Sequence, residues 1–243
     1  VEIIVIDQPL LYVFGNLALA RAKMTLVYER LAALFGTHAL KQRDPLRQLI
    51  GTILSQRTKD EQTARSSAAL WARWPSPEQL AAADAAEIER VIGGVTFPEL
   101  KAPRIKRLLA DICAERGSFD LGFLGAMPTE QALAWLSRLE GVGPKTSSLV
   151  MLFVFGHPVL PVDTHVHRVS LRLGLIPPRT SAERAHNLLP ALLPSEAGAL
   201  YTFHRNAIQH GKRTCFFHDP ACFRCALRDI CDYGNTHGMR TED

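Results

Sequence analysis

Leu26, Leu31 and Leu34 open a pattern that runs along nearly the whole chain, apolar positions recurring at three- and four-residue intervals as on one face of an α-helix. No segment alternates apolar and polar residues as a half-buried strand would. Proline, glycine and short polar residues cut the pattern into pieces. Asp44 before Pro45 reads as an N-cap with proline at the first helical position, starting a helix that runs to about Gln56. Asp60 to Trp74 forms the next. Pro75-Ser76-Pro77, and Asp84 with Glu87 as a capping box, start two short helices, the second closed by Gly93-Gly94. Pro98 begins a longer helix to Gly117, with Ile105, Leu108, Leu109 and Ile112 on one face and Cys113 as a small residue on the same apolar side. Thr129 is expected to cap Glu130 to Leu139, and Pro144 and Asp163 to start two more helices. Thr180 with Glu183 forms another box, and Ser195 to Gln209 is the last long helix. About ten helices result, with no internal repeat and no low-complexity linker, so the fold class is all-α.

The first of these helices, Thr25 to Phe35, places the start of the helical pattern at Met24 and leaves residues 1–23 as an N-terminal extension. That extension is apolar but does not read as a secretory leader. Glu2 and Asp7 stand where positive charge is required, and Pro9, Gly15 and Asn16 break the run. The functional chain is expected to begin at Met24.

With 243 residues, 47% of them hydrophobic, the chain can bury one sizeable core or two modest ones, which excludes a disordered protein. Mean hydropathy is +0.01 and no apolar run approaches the roughly 18 residues of a spanning helix, so no membrane role is expected. A net charge of +4 permits a polyanionic partner without requiring one.

Chemistry concentrates in two places. Cys215, Cys222, Cys225 and Cys231 are spaced C-x6-C-x2-C-x5-C, four of the five cysteines in the chain. Cys222 and Cys225 are too close in sequence for an ordinary disulfide, and one cluster in a cysteine-poor chain points to a metal. Four thiolates suit either a tetrahedral zinc or a [4Fe–4S] cluster, and a single C-x2-C knuckle where structural zinc usually shows two favours the cluster. The second place is Leu139-Glu140-Gly141-Val142-Gly143-Pro144-Lys145-Thr146, a two-glycine turn between helices. Its glycines allow positive φ and close approach of a ligand, and the helix that follows offers unpaired N–H groups and the positive end of its dipole to a phosphate. Further on, Val162-Asp163-Thr164-His165-Val166-His167-Arg168 sets an acid at a helix start, which taken alone is a plain N-cap.

Together these pieces resemble endonuclease III, the iron–sulfur branch of the helix-hairpin-helix DNA glycosylases. The matching stretches are LSQRTKD (Leu54 to Asp60), LEGVGPKT (Leu139 to Thr146), PVDTHVHR (Pro161 to Arg168), HGKRTC (His210 to Cys215) and the cysteine group, in that order from about Thr25 to Cys231. The resemblance implies a two-domain fold: a six-helix barrel with the hairpin over 43–157, and a cluster domain from 24–42 plus 158–232, with DNA in the cleft between them and a tail over 233–243. It implies a [4Fe–4S] cluster on Cys215, Cys222, Cys225 and Cys231. It implies Lys145 as nucleophile and Asp163 as the carboxylate that steadies positive charge on the sugar, in a bifunctional glycosylase and abasic-site lyase acting on oxidised pyrimidines. A lysine amine of ordinary pKa, about 10.4, is almost wholly protonated at neutral pH, so this chemistry requires desolvation around it. The partner implied is double-stranded DNA with damaged bases or abasic sites, bound by a monomer in the cytoplasm or nucleoid.

Contacts to that DNA are expected from Gly141, Val142, Gly143 and Thr146 of the hairpin, from His165, and from Lys101 in a basic group with Arg104, Lys106 and Arg107. A second basic group is His204, Arg205, Lys212 and Arg213. Gln56 or Arg57 is expected to fill the gap left by a flipped nucleotide, since Gln56 falls one position early and Arg57 stands where relatives carry glutamine. Val95, Phe97 or Leu100 supplies a second wedge, from a turn about two residues longer than usual. The Cys215–Cys222 loop has no Lys or Arg, so a usual phosphate contact is lost, and Phe216 and Phe217 are expected to shield the cluster. The alternatives are a monofunctional mismatch or adenine glycosylase of the same fold, and a lesion-binding module without catalysis.

Overall fold

The computed structural model describes residues 15–237. Among these there are twelve α-helices, four short 3-10 turns and no strand. The described residues divide into two compact units: Lys41–His157, and residues 15–40 together with 158–237.

The contiguous unit holds α2 (Pro45–Ser55), α3 (Asp60–Arg73), α4 (Pro77–Ala82), α5 (Ala85–Val91), α6 (Pro98–Arg116), α7 (Thr129–Ser137) and α8 (Pro144–Phe155). Its centre is α8, buried on every side from Thr146 to Phe153 and packed on α2 and α7. That matches a segment apolar around its whole circumference. Asp44 caps α2 by accepting from Arg47 N, with Pro45 at the first turn. Ile105, Leu108, Leu109 and Ile112 of α6 are buried as their spacing requires, but Cys113 is exposed because it lies one step beyond the edge of that face. Three caps differ from expectation. The capping box is Ser76 with Gln79, whereas Asp84 accepts from Ala86 N and Glu87 pairs instead with Arg73. Thr129 sits inside its helix, its hydroxyl hydrogen-bonded with His157 Nδ1.

The other unit holds α1 (Leu17–Phe35), α9 (Thr164–Leu173), α10 (Ala182–Leu188), α11 (Ala197–Arg213) and α12 (Asp232–His237). Helix α1 begins well before Met24, correcting the reading of residues 1–23 as one extension. Asn16, which looked like a breaker, is the N-cap that accepts from Leu19 N, and Leu17 to Ala22 are strong helix formers. Residues 1–14 of that extension lie outside the described residues. Residues 232–237 form a helix where a tail was expected, and 238–243 again lie outside. Ser181, not Thr180, caps α10; the Thr180 hydroxyl donates to Pro177 O.

Helix α11 packs on both α1 and α9. Asn206 joins α11 to the end of α1: its amide donates to Leu31 O at 3.3 Å and Gly36 O at 2.9 Å, and its Oδ1 bonds His38 Nε2 at 2.9 Å. Gly36 O lies just past the last turn of α1, outside that helix's own ladder, and the amide supplies it a donor. Replacing Asn206 with Leu should therefore cost about 1 to 3 kcal/mol in urea unfolding, with the m-value unchanged.

Candidate nucleic-acid interface and cysteine site

In the contiguous unit three turns meet: Gln56–Lys59 after α2, Gly93–Phe97 before α6, and Arg138–Gly143 between α7 and α8. Gly141 has φ of 79°, which favours glycine, and a Cβ there would displace the Arg104 side chain that lies against it. Gly143 is extended and serves as N-cap of α8. Val142 lies within the turn and Thr146 in the first turn of α8. Both side chains are buried, and their amides already donate to Leu139 O and Gly143 O. Lys145 follows at the second position of α8, half-buried.

Gln56 and Arg57 have different fates. Gln56 is tied down: its Nε2 donates to Gly141 O at 3.1 Å and its Oε1 accepts from Arg104 Nη1 at 3.2 Å. Arg57 stands exposed at the tip of its turn with φ of 56°. Lys101 is not on the surface where its neighbours placed it. It is 3% exposed, and its ammonium donates to Leu54 O and Gln56 O, both at 2.7 Å, and to Thr58 Oγ1 at 2.9 Å. Burial, with Arg104 adding repulsion, lowers its pKa to about 8. Arg107 is exposed and paired with Asp111, while the Lys106 ammonium is bonded to Ala81 O. Of the wedge candidates, Val95 is buried, whereas Phe97 and Leu100 are 45% and 58% exposed. Arg104, Thr58 and Thr96 are the contributors that sequence reasoning missed as site residues. For Arg104 the signal was its place in the basic group and for Thr58 its place in LSQRTKD; Thr96 left none.

In the other unit Asp163 is the N-cap of α9, accepting from His165 N at 2.9 Å and Val166 N at 2.8 Å. The carboxylate is half-buried and fixed in direction by these bonds. The His165 ring is packed inward, its Nδ1 accepting from Arg168 Nη2 at 3.1 Å, and burial holds its pKa below the usual histidine range. His204 is buried and bonded to Pro161 O, which removes it from the second basic group; Lys212 and Arg213 are exposed.

Cys215, Cys222, Cys225 and Cys231 line one small pocket, whose other walls include Val169, Leu173 and Tyr233 with the polar Arg172, His210 and Thr214. All are free thiols. Among the described residues no three His, Cys, Asp or Glu side chains stand close enough to grip a single metal ion. The donor set nonetheless suits an anionic sulfur site: Arg172 Nη1 donates to Cys215 Sγ at 3.3 Å and Gly234 N to Cys231 Sγ at 3.3 Å. Burial raises the thiols of Cys222, Cys225 and Cys231, and the other sulfurs add to it. Positive charge held among them would relieve both effects. Arg172 also fixes the loop by donating to Phe216 O and Phe217 O. The two rings are 38% and 69% exposed, so they do not shield the pocket as expected.

A family profile described as HhH-GPD superfamily base excision DNA repair protein matches residues 50–195. Endonuclease III of Thermotoga maritima is 34% identical over 198 residues, 82% of this chain and 87% of its own. Endonuclease III of Synechocystis sp. is 34% identical over 196 residues, 80% and 84% of the two chains. A solved structure of a trapped endonuclease III–DNA covalent intermediate superposes with a TM-score of 0.76 at 27% identity, covering 88% of this chain and 97% of that one. Among the described residues no helix is long and apolar enough to cross a membrane.

Proposed function

The chain belongs to the HhH-GPD superfamily of base excision DNA repair proteins and is an endonuclease III-like DNA glycosylase; from that premise we propose that it is bifunctional, excising oxidised pyrimidines from duplex DNA and then cleaving the strand as an abasic-site lyase. The observation that carries this reading is Lys145 itself, an amine at the second position of α8 immediately after the Gly141–Gly143 turn. A glycosylase that only activates water has no need of an amine there.

In the proposed reaction the nucleotide is flipped out of the stack, because its C1′ is inaccessible within the duplex. The neutral Lys145 amine attacks C1′, the bond from C1′ to the base breaks, and the base departs with a proton. Asp163 stabilises the positive charge that develops on the sugar ring. Ring opening leaves a protonated imine on Lys145. That imine acidifies C2′; loss of a C2′ proton expels the 3′ phosphate, and water then hydrolyses the imine to free the lysine. Arg104, beside the hairpin, supplies positive charge for backbone phosphates, an attraction that salt weakens.

Cys215, Cys222, Cys225 and Cys231 would hold a [4Fe–4S] cluster, which when bound cross-links a segment of short turns with little apolar content. Purified protein should be brown, with a broad absorbance near about 400 nm. Cys225→Ser should bleach it and lower its thermal midpoint. Colourless, fully active protein carrying one zinc would refute the cluster.

The substrate reading is tested with duplexes carrying thymine glycol, uracil, 8-oxoguanine opposite C or A, or an abasic site, scoring base release and strand cleavage separately. Release and cleavage together on thymine glycol support it. Base release without cleavage would identify a monofunctional enzyme, and binding without either a lesion-binding module.

A further inference from the structure

Two of the turns around the hairpin are joined by a buried ammonium and two hydroxyls. The three protons of Lys101 Nζ have three acceptors in Leu54 O, Gln56 O and Thr58 Oγ1, so the buried charge is fully bonded. Thr58 Oγ1 also accepts from Thr96 N at 3.1 Å and donates to Gln56 O at 3.2 Å. Thr96 Oγ1 donates to Arg57 O at 3.0 Å, closing the connection between the turns.

What this network encloses is unusual backbone. Arg57 and Phe97 both have φ of 56°, left-handed for residues that carry a Cβ, and both side chains are exposed. Such a conformation is unfavourable for non-glycine residues and persists where the surroundings over-determine it. Here they do so on both sides: the Arg57 carbonyl is held by Thr96, and Phe97 follows Thr96 directly.

We propose that Lys101, Thr58 and Thr96 form a latch that positions Arg57 and Phe97, one from each turn and each among the residues that the endonuclease III resemblance offers for entering the duplex at the flipped nucleotide. This rests on the glycosylase reading given above. The chemistry of the pair is complementary. A guanidinium can hydrogen-bond the base left without a partner, and a phenyl ring can hold apart the neighbouring step by stacking. The polar groups of the latch are turned inward onto one another and onto backbone, so they are positioning residues. Their effect is that the wedge keeps its shape before DNA arrives and loses little freedom on binding.

The test uses the full chain and a duplex bearing a tetrahydrofuran abasic-site analogue opposite 2-aminopurine, with an undamaged duplex as reference. Thr58→Val keeps the shape of the side chain but removes the shared hydroxyl, and Thr58→Ser restores it. The latch predicts that Thr58→Val loses most of the 2-aminopurine fluorescence change and at least about tenfold of the preference for the abasic duplex, while Thr58→Ser recovers both. Wild-type preference in Thr58→Val, or no recovery in Thr58→Ser, overturns it. If Thr58→Val fails to fold, Lys101→Met is compared in the normal and the Arg57→Ala/Phe97→Ala backgrounds. A latch adds no further loss of preference once the wedge is gone, whereas an additive loss would mean that Lys101 acts elsewhere. A normal chain with no preference for the abasic duplex would overturn the glycosylase reading and the latch with it.

Discussion

Borohydride added during reaction on an abasic-site duplex traps a covalent protein–DNA adduct with the normal chain and none with Lys145→Ala. The imine proposed on Lys145 is reduced to a stable secondary amine, so the trap reports the intermediate directly. Strand cleavage in the mutant should fall by about a thousandfold or more, as when a nucleophile is removed from a unit that acts together. Affinity for DNA should fall only a few-fold, because the glycine turn, Arg57 and Arg104 remain and a single cation is lost. Lys145→Gln preserves chain length and should behave like alanine. If Lys145 only contacts phosphate while activated water does the chemistry, the normal chain gives no adduct and the mutant shows weaker, less salt-dependent binding. An adduct that survives in Lys145→Ala would indicate another amine. Lys101 is a poor candidate, since its Nζ is turned inward onto three oxygens.

Asp163→Asn is the second large effect. The side chain accepts two backbone N–H bonds, and asparagine retains an oxygen for that purpose, so α9 should remain capped and the fold intact. What disappears is the charge, and with it the stabilisation proposed for a cationic sugar; base excision should drop by about a hundredfold or more. Asp163→Ala removes cap and charge together and should also cost about 1 kcal/mol in unfolding free energy. Urea melts of both variants beside single-turnover excision separate the two contributions. Near-normal excision in Asp163→Asn would leave the residue as a helix cap only.

The helices were legible in the chain because periodicity reports burial, and the apolar face of α6 lies where Ile105, Leu108, Leu109 and Ile112 put it. The hairpin was legible because a glycine that needs positive φ leaves a mark in composition, as Gly141 does. Lys101 was not legible. Basic residues at 101, 104, 106 and 107 cover most of the circumference of a helix, so charge alone cannot say which one points inward. Only the three oxygens that await it at the end of α2 decide that, and they come from residues more than forty positions away. The separation of Gln56 from Arg57 has the same origin: adjacent polar residues read alike until tertiary bonds hold one and leave the other outward. Caps failed where two competent residues were neighbours, as with Thr180 and Ser181. The aromatic loop failed because apolar side chains suggest burial, whereas Arg172 grips Phe216 and Phe217 by their carbonyls and leaves the rings outside.

The division of the chain into one continuous and one split unit also sets an order of assembly during synthesis. The continuous unit ends at His157, so it can close soon after that residue leaves the ribosome. Helix α1, made earlier, has no such option, since Met24, Val27 and Leu31 are buried in a unit that also requires α11. At ordinary elongation rates the stretch from Pro158 to Cys231 takes about 4 to 15 s to appear. For that interval helix α1 carries an uncovered apolar face, so a helix near the start of the described residues must wait for one near their end before it has a place to fold.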